Sequence, residues 1–505
     1  MQGACGACGA ADAASLCGGC RSVTYCGAAC QRGAWADHKA VCKAIQADAA
    51  GCAASGTTDP AKTHCDGCAA PLDGVDERCT GCRSASYCSA ACQAAHWHDA
   101  HKAVCRGVGE AKFARALALA GADEPDACFA VGLFYEHGTG VARDAREMVA
   151  WYARAAGRGH VGAQVNLGVC HATGAGVKKN ARASVGWYRR AADAGDAGAQ
   201  AYLGVCYETG AGVEKDAHAA VGWYRRAADA GHVAAQFNLG TCLEAGTGTR
   251  ADARAAVSWY ERAAAQGHAG ALNNLGLCYE RGVGVAKDAR AALEWYRRAA
   301  EAGHVAALFN IGTCFEAGVG VPLDARAAVA WYRRAADLGY AQAQVQLGLC
   351  LEAGAGVEKD ARAAVSWYRR AADAGCAAAQ VNLGLCFEHG RGVPADAAAA
   401  FELYRRAAQQ GAPVAQFNVG VCFQQGKGVA PDARAAIEWY RLAAESGHPG
   451  AMCNLGNCFL RGRGVAADAR AAAKWFGRAA LSDDKAAAES ARAGLAQLPA
   501  SARGQ

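Results

Sequence analysis

A unit of 36 residues, written ten times, constrains the fold of this chain more than any other feature. In one copy, Leu203-Gly204 precedes a Gly-x-Gly-Val turn, and Asp216 precedes Trp223-Tyr224. A fixed period of this length is typical of stacked supersecondary units, so the 505 residues are expected to form a repeat array rather than one large core. One column holds Trp or, once, Leu: Trp151, Trp187, Trp223, Trp259, Trp295, Trp331, Trp367, Leu403, Trp439 and Trp475.

Each copy predicts two helices. The first is expected over residues 198–209 and ends at Gly210, where a helix C-terminus takes a left-handed residue. Asp216 is expected to cap the second helix, which ends near Gly231. Gly204 lies inside the first helix at a cost of about 1 kcal/mol relative to Ala, which predicts a close approach by the backbone of a neighbouring helix. Leu203, Tyr207, Trp223, Ala227 and Ala228 are expected to fill the space between helices.

The chain contains 27 cysteines, and fourteen of them fall, with two histidines, into a strict pattern before residue 106. In a reducing compartment this spacing indicates metal sites rather than disulfides. Eight ligands in each segment predict two structural Zn²⁺ ions in each, four in total. Segments of about 40 residues have little core, so the metals would supply most of their folding free energy. The candidate ligands are Cys5, Cys8, Cys17, Cys20, Cys26, Cys30, His38 and Cys42, then Cys65, Cys68, Cys79, Cys82, Cys88, Cys92, His101 and Cys105.

Residues 5–42 and 65–105 resemble the MYND zinc finger, in the ligands and in the Tyr-Cys, Cys-Gln, Trp and His-Lys residues around them. The resemblance implies that Cys5, Cys8, Cys26 and Cys30 share one zinc and that Cys17, Cys20, His38 and Cys42 share the other. It implies the same interleaving in the second finger, with Cys65, Cys68, Cys88 and Cys92 on one zinc and Cys79, Cys82, His101 and Cys105 on the other.

The resemblance also implies binding of short proline-containing peptides at Gln31 and Trp35, and at Gln93 and Trp97. An exposed indole offers a flat apolar face to a proline ring. The alternative is that both tryptophans only cover the zinc knuckles. Trp97 lies four residues before His101, whereas Trp35 lies three before His38, and this rotates Trp97 by about 100° on a helix. A peptide groove is therefore expected mainly in the first finger.

The 36-residue signature resembles the Sel-one-like repeat, a relative of the tetratricopeptide repeat. This resemblance implies an all-α fold, a right-handed α/α solenoid superhelix of ten helix-turn-helix repeats whose concave face carries protein ligands. The expected domains are a first MYND finger at 1–45, a linker at 46–62, a second finger at 63–108, a capping helix at 109–125, the repeats at 126–482, and a capping helix and tail at 483–505. The linker composition indicates a flexible tether.

Three repeated columns allow more than one interpretation. Asparagines of the first helix, including Asn166, Asn238, Asn274 and Asn310, are candidates for bonding a peptide backbone, or they are satisfied by neighbouring helices. Arginine pairs of the second helix are expected to form a solvated outer face that covers apolar surface, with an acidic partner as the alternative. Nine cysteines at the period of 36 are expected to be small, buried, apolar residues.

No catalytic motif is present, and zinc sites with four protein ligands leave no open position for water. The chain is therefore predicted to be a non-enzymatic adaptor or scaffold for proteins and peptides. The alternatives are an adaptor in ubiquitin-linked protein quality control and nucleic-acid binding through the fingers, which a net charge of +6 does not favour. No apolar run of about 18 residues and no signal-peptide pattern occurs, so a cytoplasmic or nuclear location is expected.

Overall fold

The computed structural model describes residues 99–499 and four two-residue strands, with side chains described from residue 109 onward. Ser15–Leu16 pairs antiparallel with Thr24–Tyr25, and Glu77–Arg78 pairs antiparallel with Ser86–Tyr87. Between residues 99 and 499, the chain forms helices joined by turns and contains no strand. The predicted α/α solenoid of helix-turn-helix repeats is confirmed.

The chain divides into two compact units, Met1–His268 and Ala269–Gln505. The first and second helices of each repeat are named helix A and helix B. In the first unit, Asp99–Ala120 precedes four A/B pairs: Pro125–His137 and Ala145–Gly157, Val161–Thr173 and Ala181–Asp193, Ala197–Thr209 and Ala217–Asp229, Val233–Ala245 and Ala253–Ala265. In the second unit, six pairs precede Lys485–Ala496: Ala269–Arg281 and Ala289–Glu301, Val305–Ala317 and Ala325–Asp337, Ala341–Ala353 and Ala361–Asp373, Ala377–His389 and Ala397–Gln409, Pro413–Gln425 and Ala433–Glu445, Pro449–Arg461 and Ala469–Ala480.

The predicted caps are present at both ends of the inter-helix turn. Gly210 closes helix A with a left-handed φ of 79°, and its N–H donates to the carbonyl of Cys206. Asp216 starts helix B, and its carboxylate accepts the N–H of Ala219 at 3.0 Å. Because these bonds satisfy backbone groups that a helix end leaves free, they fix where each helix begins and ends.

Within each unit, the second glycine of a Gly-x-Gly turn packs on the preceding repeat, as Gly212 does. A Cβ added at Gly212 would lie 2.2 Å from the carbonyl oxygen of Ala181, the first residue of the previous helix B. No side chain fits at this distance, and the φ of Gly212 is 78°. The turn therefore fixes the contact between neighbouring repeats as well as reversing the chain.

The glycine inside helix A is needed for a different reason from the one predicted. A Cβ at Gly204 would lie 2.3 Å from Cε1 of Tyr224, a side chain of helix B in the same repeat. The prediction that the backbone of another helix lies against this glycine is therefore wrong, because an aromatic ring covers it. The same relation holds in every repeat, with Phe476 replacing the tyrosine in the last one.

This tyrosine, rather than the tryptophan beside it, forms the centre of each repeat. Tyr224 is fully buried, whereas Trp223 and Tyr207 are only half-buried. Leu203, Ala227 and Ala228 are buried as predicted. Because helix B turns its tyrosine and small alanines toward helix A, the two helices pack closely around one ring.

A terminal helix packs on each end of the array. The N-terminal capping helix, expected within residues 109–125, begins earlier, at Asp99. Its Phe113 makes edge contacts with Phe134 and Tyr135 of the first repeat, at 5.9 and 5.4 Å between ring centroids. At the other end, Lys485–Ala496 packs on the last repeat, where a Cβ at Gly494 would lie 2.6 Å from the ring of Phe476.

Replacing the covered glycine should destabilise the first unit, whereas replacing an open one should not. Gly204→Ala forces a methyl group into the ring of Tyr224, and overpacking of this kind costs about 1–3 kcal/mol. Gly222→Ala is the control, since nothing lies within 4 Å of a Cβ there and a helix gains about 1 kcal/mol from Ala. Urea unfolding followed by circular dichroism should give opposite signs for the two variants, and equal effects would contradict this packing.

Candidate functional site

Three columns of helix A share one exposed face, which we name the helix-A face. They occur at spacings of three residues, which places them on one side of the helix. The first column is mainly Asn and is half-buried, the second is mainly aliphatic, and the third is mainly Glu. The asparagines are Asn166, Asn238, Asn274, Asn310, Asn382, Asn418 and Asn454; the aliphatic residues are Leu133, Val169, Val205, Leu277, Leu349, Leu385 and Val421; the glutamates are Glu136, Glu208, Glu244, Glu280, Glu316, Glu352 and Glu388.

The glutamates are held in place by the buried tyrosines. The Tyr224 hydroxyl donates to Glu208 Oε2 at 2.6 Å, and the same bond joins Tyr260 to Glu244 at 2.7 Å. In the second unit, it recurs for Tyr296, Tyr332, Tyr368 and Tyr404 at 2.5–2.8 Å. Each carboxylate at the rim of the helix-A face is therefore fixed by a bond from the core.

In the first unit, two of the asparagines contact the tyrosine hydroxyl group of the preceding repeat. Burial chiefly raises the pKa of Tyr224, the bond to Glu208 raises it further, and a hydrogen bond with the Asn238 side chain lowers it. Asn166 makes the corresponding bond with Tyr152. These two asparagines are thus bonded within the stack while each stays partly accessible.

The two remaining candidates lie on the same column in the second unit. Asn310 donates to Asn273 Oδ1 at 2.9 Å, and Asn274 is half-buried on the column. The structure therefore places all four asparagines on one kind of surface. Their predicted bonding to a peptide backbone stays a prediction.

Repeat two departs from this pattern in a compensated way. Ala172 stands where seven other repeats have Glu, so the Tyr188 hydroxyl has no carboxylate to bond. Tyr202 replaces the asparagine of the following repeat, and its ring stacks on Tyr188 with centroids 4.8 Å apart. Burial raises the pKa of Tyr188 to about 12. The stacked ring of Tyr202 thus takes the place of the bond to a glutamate.

The glutamine column beside the asparagines is buried and serves packing. Gln344 Nε2 donates to the Ala336 carbonyl of the preceding helix B at 3.0 Å, while its Oε1 has no hydrogen-bond partner. Gln380 makes the equivalent bond, and its Oε1 accepts Nε2 of Gln410 at 2.9 Å. The presence of a glutamine at the end of helix B decides whether this buried oxygen is satisfied.

The periodic cysteines are buried and reduced, as the spacing predicted. Burial, with a smaller contribution from the charge of Glu208, raises the pKa of Cys242 to about 11. Because the thiolate is the reactive form, these thiols are poor nucleophiles near neutral pH.

In the arginine pairs of helix B, the second arginine makes a defined contact with a tryptophan ring. The Arg190 guanidinium lies over the Trp187 ring at 4.6 Å from its centroid, and this cation–π contact recurs in eight repeats. Repeat eight has Leu403 for Trp, and repeat nine has Leu442 for Arg. The Trp-x-x-Arg spacing carried this signal in the sequence, but it was not identified as a contact.

Several helix A segments start at a histidine that acts as an N-cap. His160 Nδ1 accepts the N–H of Ala163 at 3.0 Å, and its buried ring stacks on Phe129 with centroids 4.3 Å apart. Nε2 lies 3.6 Å from Asp126 Oδ1. Burial lowers the pKa of His160 to about 4, so the ring is neutral and its Nδ1 is free to accept.

The finger residues are described only in part. Gln31, Trp35, Gln93, Trp97 and most of the predicted zinc ligands lie outside the described residues. The paired strands flank Cys17 and Cys20 in one finger, and Cys79 and Cys82 in the other, at matching sequence positions. His101 and Cys105 lie four residues apart on Asp99–Ala120, one turn of the same helix. Imidazole and thiolate at this spacing fit a zinc ion.

Within the part of the chain where side chains are described, no group of three His, Cys, Asp or Glu residues could hold a metal ion. No helix of the same part is long and apolar enough to cross a membrane.

Comparisons with known families agree with both sequence patterns. The Sel1 repeat model matches ten consecutive segments: 125–160, 161–196, 197–232, 233–268, 269–304, 305–340, 341–376, 377–411, 413–448 and 449–484. The MYND finger model matches residues 5–42 and 52–105, which supports Zn²⁺ as a cofactor. Both resemblances drawn from the sequence are confirmed.

Two of the solved structures similar to this chain are more than 30% identical to it. The first is c5321, a protective antigen present in uropathogenic Escherichia coli strains that displays an SLR fold. It is 31% identical with a TM-score of 0.50, covering 77% of this chain and 91% of that chain. The second is a Sel1 repeat protein from Oxalobacter formigenes, 34% identical with a TM-score of 0.48, covering 60% of this chain and 88% of that chain. No curated protein matches the chain.

The His160 cap should make the first unit sensitive to acid. Its pKa is about 4 in the folded protein against about 6.5 when unfolded, so the unfolded chain takes up the proton first as pH falls. The stability from this group is complete above pH 6.5 and should decrease by about 3 kcal/mol down to pH 4. His160→Asn keeps an N-cap acceptor without titrating, so its unfolding free energy should lack this component. The exposed His137→Asn is the control, and a His160→Asn profile parallel to wild type would exclude the mechanism.

Supplying the missing donor to a buried glutamine should stabilise the second unit. Ala374 occupies the helix B end that faces Gln344, where Gln410 bonds Gln380 in the next repeat. Ala374→Gln should add about 1 kcal/mol to the unfolding free energy by satisfying Gln344 Oε1. Ala302→Gln is the matched control, because Leu272 occupies the position of Gln344 in the repeat of Ala302. In thermal unfolding, Ala374→Gln should raise the melting temperature more than Ala302→Gln does. An equal rise in both variants would show that the effect comes from helix propensity alone.

Proposed function

Because the chain belongs to the Sel1 repeat family and carries two MYND finger segments, we propose that it is a non-enzymatic adaptor between partner proteins. In this proposal, the fingers bind short proline-containing peptides, and the helix-A face holds a second protein. The boundaries of the finger, linker and capping domains given by the sequence are part of the same proposal.

The organisation of the helix-A face is the observation that carries the proposal. Accessible aliphatic side chains such as Val205 and Leu349, 41% and 39% exposed, lie between amides on one side and carboxylates on the other. The carboxylates are already fixed by tyrosine hydroxyl groups. A surface ordered before binding avoids part of the entropic cost of association. Apolar contacts with polar groups on both sides are typical of a protein-binding surface.

For the fingers, we propose the sixteen ligands and four zinc ions predicted from the sequence. Zinc bound by four protein ligands has a structural role and holds the segment in shape. The chain's own part is then recognition: Gln31 offers an amide to peptide backbone and Trp35 offers its ring to proline. Gln93 and Trp97 would do the same in the second finger, with the indole rotated relative to its ligand.

The chemistry of the described residues supports a scaffold rather than an enzyme. Burial raises the pKa of Cys314 and Cys350 to about 11, which suits packing and not nucleophilic attack. The tyrosine hydroxyl groups are buried and occupied by glutamates. We therefore propose no reaction for this chain.

Two substitutions test the two binding surfaces separately. Trp35→Ala should weaken binding to an array of proline-containing peptides by tenfold or more, with zinc content unchanged, because an aromatic anchor contributes about 1–3 kcal/mol or more. Leu349→Glu should remove a different set of proteins captured by the full chain, because it adds charge to the helix-A face. Leu338→Glu is the control: this leucine is also exposed, at 65%, but lies at the end of helix B.

The outcomes are distinguishable. If the wild type binds peptides and Trp35→Ala binds them equally well, the recognition site lies outside the first finger. If the Leu349→Glu and Leu338→Glu variants capture the same proteins, the helix-A face is excluded as the binding surface. Metal analysis should give about four zinc equivalents per chain, and fewer than three would reject the ligand assignment.

A further inference from the structure

The N-terminal helix is placed in the array as if it were a helix B. Gly109 lies one repeat period before Ala145, the first residue of helix B in repeat one. Ala120 lies one period before Ala156, and both are buried. Residues 109–120 therefore align with the helix B of a unit that precedes the first repeat.

The packing agrees with this alignment. In repeat two, a Cβ on the turn glycine Gly176 would lie 1.9 Å from the carbonyl oxygen of Ala145. In repeat one, a Cβ on Gly140 would lie 2.0 Å from the carbonyl oxygen of Gly109. The first turn therefore docks on the N-terminal helix as the turns of repeats two, three and four dock on a helix B.

The start of this helix differs from that of every helix B. Each helix B begins after an Asp or Asn whose side chain accepts backbone N–H groups, as Asp144 does for Arg146 and Glu147. The residue one period before Asp144 is Val108, which has no acceptor. The helix does not stop there but continues back to Asp99, through Cys105 and His101. Its first turns thus belong to the segment that matches the second finger.

We propose that zinc bound through His101 and Cys105 takes the place of the missing N-cap and couples folding of the first repeat to metal binding. Nucleating a helix is unfavourable because the first turn fixes several residues for one hydrogen bond. Two ligands one turn apart on a shared metal hold that turn, so the free energy of metal binding stabilises the helix. The same helix carries Phe113 and Ala120 into the contact with repeat one. This inference rests on the ligand assignment made for the second finger.

The two fingers should therefore differ. The last two predicted ligands of the second finger, His101 and Cys105, lie on the helix that packs on the first repeat. The first finger precedes the linker predicted at residues 46–62, so its metal has no such connection. Cys42 and Cys105 occupy the same position in their fingers and provide a matched pair.

Gly107 is the position at which this connection can be broken without touching a ligand. It lies in the helix between Cys105 and Gly109. Proline inside a helix removes a backbone hydrogen bond and clashes with the preceding turn, whereas alanine favours the helix. Gly107→Pro and Gly107→Ala thus form a second matched pair that keeps all the predicted zinc ligands.

The test measures hydrogen–deuterium exchange and zinc content on the full chain. Cys105→Ser should lower the zinc content and speed exchange in residues 110–137 on the order of tenfold, with repeat ten unchanged as the internal reference. Cys42→Ser should lower the zinc content without changing exchange there. Gly107→Pro should keep the zinc and speed exchange as Cys105→Ser does, while Gly107→Ala should leave exchange at or below the wild-type rate.

Three results would overturn the inference. Loss of zinc in Cys105→Ser with wild-type exchange in residues 110–137 would refute the coupling and leave the proposed adaptor function intact. Unchanged exchange in Gly107→Pro with full zinc content would do the same. Unchanged zinc content in Cys105→Ser would instead reject the ligand assignment, and with it both this coupling and the zinc sites proposed for the second finger.

Discussion

A tyrosine ring pressed on a helix A glycine is the contact around which each repeat is built. Tyr224 lies so close to Gly204 that any side chain at the glycine would overlap the ring. The ring fills the space between helix A and helix B, and the glycine lets the two helices approach closely enough to bury it. The cost of a glycine inside a helix, about 1 kcal/mol, is offset by burying an aromatic side chain.

The same tyrosine links the core to the surface. Its hydroxyl emerges beside helix A and donates to the glutamate of its own repeat, as Tyr368 does to Glu352. In the first unit, Asn166 and Asn238 reach the hydroxyl groups of the preceding repeat. The orientation of polar groups on the helix-A face thus follows from core packing. Substitutions on this face and in the core are therefore expected to be energetically coupled.

The terminal helices show how a repeat array closes its ends. A repeat exposes an apolar face to the next one, so the first and last repeats need a partner. Lys485–Ala496 covers the last repeat with alanines and a glycine placed on Phe476. Asp99–Ala120 covers the first and extends into the segment matched by the second finger. The finger and the array are accordingly joined by one helix and not only by a loop.

The sequence by itself determined the repeat, the helix boundaries within each repeat and the caps. Residues such as Gly210 and Asp216 act through local backbone geometry, which depends on residue type and spacing alone. It also determined that the periodic cysteines are packing residues, because their spacing follows the period. Only the tertiary structure decided which aromatic residue is central, what covers Gly204, and which carboxylate each hydroxyl group meets. These contacts join residues 16 to 20 positions apart, as in Tyr224 with Glu208 and Gly204, and depend on how two helices are rotated toward each other. The period predicts that such contacts recur in every repeat, but it does not predict which side chains make them.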